Sequence, residues 1–277
     1  IPQNLPIVIP ATKLQAYYVL IADDPNIIFE IQEDSIGNNL AVTDVGSNVN
    51  QGSAWTFSRV GSTWIGPDMK LLASDGEQND RFGESVAISD DTAVVGARPD
   101  DIARGSAYIF TRSGSVWTQQ AKLMASDGTP TDEFGNSVAI SGNTGIVGAV
   151  YDDMGITIDR GSVYIFTRSG SVWSEQDKLV AADGGVDDNF GECVAISGDT
   201  VIVGARNAGA AYAFARSGVV WTQQQRLPSA GGVGQIDSVA ISGDTALVGA
   251  PLHNVGNNPQ QGLAFVFTRS GTVWSLE

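Results

Sequence analysis

The chain of 277 residues has a single cysteine, Cys193, and a single histidine, His253. One thiol cannot form an internal disulfide, which argues mildly against a disulfide-dependent secreted module and leaves secretion open. One histidine excludes a two-histidine zinc site and an H-E-x-x-H arrangement. Bases are scarce as well: 15 Lys and Arg face 31 Asp and Glu, for a formal net charge of −16. Such a surface repels phosphate backbones, so nucleic acid is not an expected partner. No apolar run approaches the ~20 residues of a membrane-spanning helix. No segment has a helical period, and there is no G-x-S-x-G elbow or phosphate-binding glycine loop. No signal peptide is visible at Ile1, as expected of a mature or trimmed chain.

What the chain does have is glycine, 33 residues of it, in a composition that is 42% hydrophobic and 17% charged. That is a globular chain with many tight turns and short strands. It is also a chain of copies. The string DRFGESVAISDDTAVVGA (80–97) returns as DEFGNSVAISGNTGIVGA (132–149) and as DNFGECVAISGDTVIVGA (188–205). Around each copy the order is F-G-x-S-V-A-I-S, G-D-T-x-x-V-G-A, G-S-A-Y-x-F, T-R-S-G-x-x-W and K-L-x-A-S-D-G. Trp64, Trp117, Trp173, Trp221 and Trp274 mark it at spacings of 53, 56, 48 and 53 residues. A period near 50 in a turn-rich chain points to a propeller or a similar array.

Each unit reads as four antiparallel strands. In the third copy these are 137–141, 145–149, 162–166 and a strand from Val172 to about Ala182. They alternate large and small residues or are rich in β-branched and aromatic ones. A lone four-stranded sheet leaves its faces uncovered, so blades must stack. Small residues on the first strand, Ala87, Ala139, Ala195 and Ala240, suit an inner strand near a crowded axis. Five third-strand cores (52–57, 105–110, 161–166, 209–214, 262–267) predict an all-β, five-bladed β-propeller forming one domain over 1–277. The expected repeats are about 25–67, 68–120, 121–176, 177–224 and 225–277. The last unit lacks its outer strand, and Leu14 to Ala22 is expected to supply it, an N-terminal strand that closes the ring and removes exposed edges.

Up-and-down connectivity gathers the four-to-one and two-to-three loops at one end. That end collects Asp75 and Asp80, Asp127 and Asp132, Asp183 and Asp188, each pair five residues apart, with Asp100, Asp101, Asp152 and Asp153 from the two-to-three loops. Oxygen-only acidic turns are the ligand set of calcium. Aspartates also terminate strands, form Asx-turns and keep a surface soluble. Both readings stand. The other end carries Arg59, Arg112, Arg168, Arg216 and Arg269 beside Asp91, Asn143, Asp199 and Asp244. Pairing with those neighbours is favoured over an anion site. The tryptophans sit at one register, which favours packing over sugar stacking. Tyr151 is a better aromatic contact candidate, ahead of Tyr17 and Tyr18. Cys193 takes the place of Ser85 and Ser137 and reads as an inert thiol.

At Phe82-Gly83, Phe134-Gly135 and Phe190-Gly191, with Gly96-Ala97, Gly148-Ala149, Gly204-Ala205 and Gly249-Ala250-Pro251, the sequence resembles the FG-GAP repeat family, nearest its bacterial form. The likeness is strong over 68–274 and weak over 25–67. It departs where the fourth strong copy has Gln235-Ile236-Asp237 for Phe-Gly, and the D-x-D-x-D-G calcium loop of integrins is absent. The resemblance to integrin α-chain and fungal-lectin propellers implies extracellular or cell-surface recognition of a protein or carbohydrate, often with calcium in the loops. The expected function is a non-catalytic adhesion module, monomeric or part of a larger chain. The alternatives are a carbohydrate-active hydrolase or lyase using loop aspartates and a structural ring of a larger adhesin.

Overall fold

The computed structural model describes residues 50–60, 63–153, 155, 157–228, 234–256 and 258–277, together with the backbone of three earlier strands. Those are β1 (Tyr18–Ile21), β2 (Ile28–Ile31) and β3 (Asn38–Val42). β1 and β2 form a two-stranded antiparallel sheet. β3 joins β4 (Ala54–Val60) and β5 (Thr63–Leu71) in a sheet of three.

Four sheets of four strands follow in chain order, each antiparallel throughout. The first holds β6 (Ser85–Ser89), β7 (Thr92–Ala97), β8 (Ser106–Ser113) and β9 (Val116–Leu123). The second holds β10 (Phe134–Ser141), β11 (Thr144–Ala149), β12 (Ser162–Ser169) and β13 (Val172–Leu179). The third is β14 (Phe190–Ser197), β15 (Thr200–Ala205), β16 (Ala210–Ser217) and β17 (Val220–Pro228). The last is β18 (Ser238–Ser242), β19 (Thr245–Ala250), β20 (Leu263–Ser270) and β21 (Val273–Leu276). The predicted strands of the third copy are all present, the fourth ending at Leu179 rather than near Ala182.

The N-terminal unit supplies four strands in order, β2 to β5: β2 lies against β3, β3 to β5 share a sheet, and β2 also pairs with β1. Its sequence has neither the Phe-Gly nor the S-V-A-I-S that builds a first strand elsewhere. One expectation is corrected: residues 18–21 do not complete the last sheet. They pair with 28–31, and the last sheet has its own fourth strand, β21, four residues long. A strand only a few residues downstream closes the shorter loop and so pairs at lower entropic cost. Residues 14–17 and 22 of the expected closing strand lie outside the described residues.

Neighbouring sheets meet most closely at their first strands: β10 lies against β6 and β14, and β14 against β18, whereas the fourth strands barely touch. This splayed arrangement is radial, and the repeat motif makes it. Ser85 on β6 donates to the carbonyl of Gly135 in the next sheet at 2.8 Å, and Ser137 donates to Gly191 at 2.7 Å. The Gly of Gly-Ala must leave that bond room. A Cβ on Gly96 would stand 2.1 Å from the Gly135 oxygen and 2.2 Å from Ser85 Oγ. Gly135 itself sits at φ +94°, pressed against Ser106. The Phe before it is fully buried, edge-on to Tyr164 and Phe166 at 5.4 and 6.0 Å.

Each interface then becomes an apolar layer. Ala87, Val94 and Ile109 on one face pack against Val138, Ile140, Val147 and Phe166 of the next sheet. The third interface lacks the polar bond because both partners changed together. Cys193 replaces the serine, Ile236 replaces the glycine, and the two join one apolar cluster.

Candidate functional site at the loop end

The loops that precede each first strand and those that link second to third strands do share one end, where the expected aspartates take three different positions. Asp75 and Asp100 come together around an ammonium: Lys122 Nζ on β9 lies 2.7 Å from Oδ2 of each. Tyr108 on β8 donates to Asp100 at 2.9 Å, and Lys122 lies 5.3 Å from its ring centre. The next sheet repeats this. Lys178 Nζ is 2.7 Å from both Asp127 and Asp152, 4.9 Å from the Tyr164 ring, and Tyr164 donates to Asp127 at 2.7 Å. In the third sheet an arginine stands there. Arg226 Nε is 3.3 Å from Asp183, and its Nη2 donates to the Ala208 carbonyl where the other sheets have a carboxylate.

The charges tune one another. Burial raises the Asp75 and Asp127 carboxyls, but the lysine and tyrosine contacts outweigh it and hold both below the usual carboxylate value. Burial lowers Lys122 and Lys178, and their two carboxylates each overcome it, so both ammoniums titrate above normal. Burial, with the neighbouring anions, pushes the Tyr108 and Tyr164 hydroxyls well up.

Asp80, Asp132 and Asp188 do something else. Each accepts from a backbone N–H three residues earlier: Asp80 from Glu77, Asp132 from Thr129 at 2.6 Å, Asp188 from Gly185 at 2.6 Å. Asp80 and Asp132 are buried, and burial raises their pKa values. Asp101 and Asp153 are exposed; Asp101 lies 3.6 Å from Arg104, and Asp153 accepts from the Asp159 amide at 2.9 Å. Among the described residues, no three His, Cys, Asp or Glu side chains gather as a metal site requires.

Sequence reasoning missed the bases that organise this end. Lys122 and Lys178 belong to the recurring Lys-Leu, and Tyr108 and Tyr164 to G-S-x-Y; both motifs were legible, but as strand marks. It also missed Arg98, which bridges Glu84 and Glu133 at 2.8 Å each, and Arg206, which bridges Glu192 and Asp237 at 3.2 and 3.3 Å. These pairs lie beside the Phe-Gly turns, nearer the first strands.

Between the charged clusters the loops project apolar groups: Ile102, Ile158, Val186 and Leu252, with Tyr151. Ile102 is 82% exposed, thrown outward by a short turn (α1, Asp100–Ala103) in which Asp101, Ile102 and Ala103 are all left-handed. That conformation costs a residue other than glycine ~1–2 kcal/mol. Backbone bonds lace the loops together: Glu133 to Ala103, Tyr151 to Asp132 and Asp187 to Ile158.

The opposite end is structural. Arg112, Arg216 and Arg269 each pair with the turn aspartate of their own sheet, Asp91, Asp199 or Asp244, at 2.6–2.8 Å. Arg168 bonds Asn143 at the same place. Arg168, Arg216 and Arg269 each reach a threonine of the preceding sheet, Thr92, Thr144 and Thr200, 76, 72 and 69 residues upstream. Each of the four covers the tryptophan of its sheet, centroids 5.1–5.5 Å away. Trp117, Trp221 and Trp274 are buried between sheets, as packing predicts. The Arg59 side chain lies outside the described residues. Cys193 is partly buried beside Ile236, its thiol pushed up by burial, and His253 is buried edge-on to Phe265 at 5.7 Å.

The family model described as FG-GAP repeat matches residues 66–110, 117–166, 173–218 and 221–267, well over half of the chain. No curated protein matches the sequence. No helix among the described residues is long and apolar enough to cross a membrane.

Proposed function

The chain belongs to the FG-GAP repeat family, and from that premise we propose that it is a non-catalytic recognition and adhesion module. It acts outside the cytoplasm, in solution or at a cell surface, and binds a protein or glycan through its loop end. One observation carries the reading: exposed apolar side chains, Ile102 foremost, stand on braced loops among fixed charges. A braced apolar group surrounded by polar ones suits an interface that loses little entropy on binding. The loop chemistry does not favour catalysis. The paired aspartates are held by lysines, the thiol is pushed away from ionisation, and the histidine is buried against an aromatic ring.

The finer architecture we propose is a closed ring of five blades. Both ends of the stack carry a partly exposed face, one aliphatic and one aromatic. On the last sheet Leu247 and Val266, paired in register, are 46% and 36% exposed, whereas Ile202 and Ala213, their counterparts one sheet earlier, are 0% exposed. At every other interface such a face is covered by the aromatic side of the following sheet. On the three-stranded sheet that side holds Trp55, Phe57 and Trp64, and Trp64 is 39% exposed. Bringing these two faces together buries both.

The test is a glycan array and a panel of extracellular proteins probed with the intact chain and two variants. Ile102→Glu with Val186→Glu is expected to weaken any ligand found by at least about tenfold. Val116→Glu with Val172→Glu, at the arginine end, is expected to leave it unchanged. Cleavage of a polysaccharide, or binding indifferent to the loop-end pair, overturns the reading.

A further inference from the structure

The family resemblance implies calcium in the loops, and the residues present do not fit it. At Asp75/Asp100 and again at Asp127/Asp152, an ammonium already stands 2.7 Å from both carboxylates. We propose that Lys122 and Lys178 are the resident cations of these two cradles. They do internally what a divalent ion does between acidic loops, so the loop end is ordered without metal.

Three features support this. Each lysine joins two separate segments: the loop that enters the sheet, through Asp75 or Asp127, and the loop between its second and third strands, through Asp100 or Asp152. Bridging two acidic segments is the usual work of a loop cation. The cradle is completed on its inner side by a tyrosine whose hydroxyl donates to a carboxylate and whose ring lies under the ammonium. Finally, cation and anions change in step. In the third sheet Asn207-Ala208 replaces the acidic pair, one carboxylate remains, and the cation is Arg226. Its guanidinium spans from Asp183 to a backbone carbonyl and to Tyr212 Oη at 3.3 Å. A metal that needs six to eight oxygens gains nothing from such a site, whereas a fork of N–H donors suits it.

The proposal concerns the protein alone and stands whether or not a ligand is found for the loop end. It is tested by thermal melts and calcium titration calorimetry. The unmodified chain is expected to melt at one temperature in excess chelator and in millimolar calcium, and to give no binding heat that depends on Asp75 or Asp127. Lys122→Met and Lys178→Met are each expected to lower the melting temperature by about 2–4 °C, while Lys122→Arg, which copies the third sheet, keeps most of it. A calcium-dependent melt that disappears in Asp75→Asn with Asp127→Asn overturns the proposal. So does a Lys122→Arg variant that melts no higher than Lys122→Met. The calcium arm needs only the unmodified protein and its aspartate variants, so it decides even where a lysine variant does not fold.

Discussion

At the scale of single residues, the most demanding positions are the glycines that let one sheet approach the next. Gly96 has no special backbone angle, yet a Cβ there would stand 2.1 Å from the backbone oxygen of Gly135. Gly142 has φ +57° but nothing within 4 Å of its Cβ position. Gly96→Ala is therefore expected to cost at least about 3 kcal/mol through overpacking. Gly142→Ala is expected to cost only about 1 kcal/mol, from the left-handed turn. Urea melts of the two variants check the order. An equal cost would mean that turn geometry, not close approach between sheets, explains the Gly-Ala of the repeat. Much of this was legible in the sequence. The alternation in S-V-A-I-S and the recurrence of Phe-Gly and Gly-Ala marked strands and tight contacts. What they contact was not legible, because Ser85 reaches Gly135 across 50 residues of chain. The joint change at Cys193 and Ile236 makes sense only once that cross-sheet partner is known.

At the scale of elements, the loop aspartates divide by what they accept from, and the division predicts opposite responses to acid. Asp127 is ion-paired and its pKa lies below the ordinary value of 3.8. Its contribution is present above that value and is lost as pH falls through the depressed one. Asp132 is raised by burial. Its charge opposes folding above its pKa, and protonation relieves that cost as pH falls. The Thr129 amide needs an acceptor, not an anion. Asp132→Asn is therefore expected to stay within about 0.5 kcal/mol of the parent, and Asp132→Ala to lose about 1–2 kcal/mol. Denaturant melts at pH 7 compare the two; an Asn variant as weak as the Ala variant would show that charge matters at that turn. The sequence pattern gathers all these acids at one end as one class of residue. It could not separate them, because an Asx-type acceptor and an ion-paired carboxylate have the same letter. The separating partners, Lys122 and Lys178, sit on outer strands 47 and 51 residues away from the carboxylates they meet in the preceding loops.

At the scale of the whole molecule, copies stack because each sheet has a small-residue face and an aromatic face, and only a neighbour covers either. Among the described residues, two faces remain partly exposed, at β19–β20 and at β4–β5. Reading the sequence, the short last unit suggested that the N-terminal strand would fill a gap in the final blade. β1 pairs with β2 instead, and β21 pairs with Phe267–Ser270, the second half of β20. The closed ring proposed above would cover these faces by setting one sheet against the other.

The most direct test of that account is a pulsed dipolar distance measurement on a Cys193→Ser background. Pairs of spin labels are placed at equivalent exposed positions on fourth strands: Thr63 with Val273, and, as the neighbour reference, Val220 with Val273. A closed ring of five predicts that the first and last sheets are neighbours, so the two pairs give the same distance. A Thr63–Val273 distance well beyond the Val220–Val273 reference would show an open arc and contradict the account.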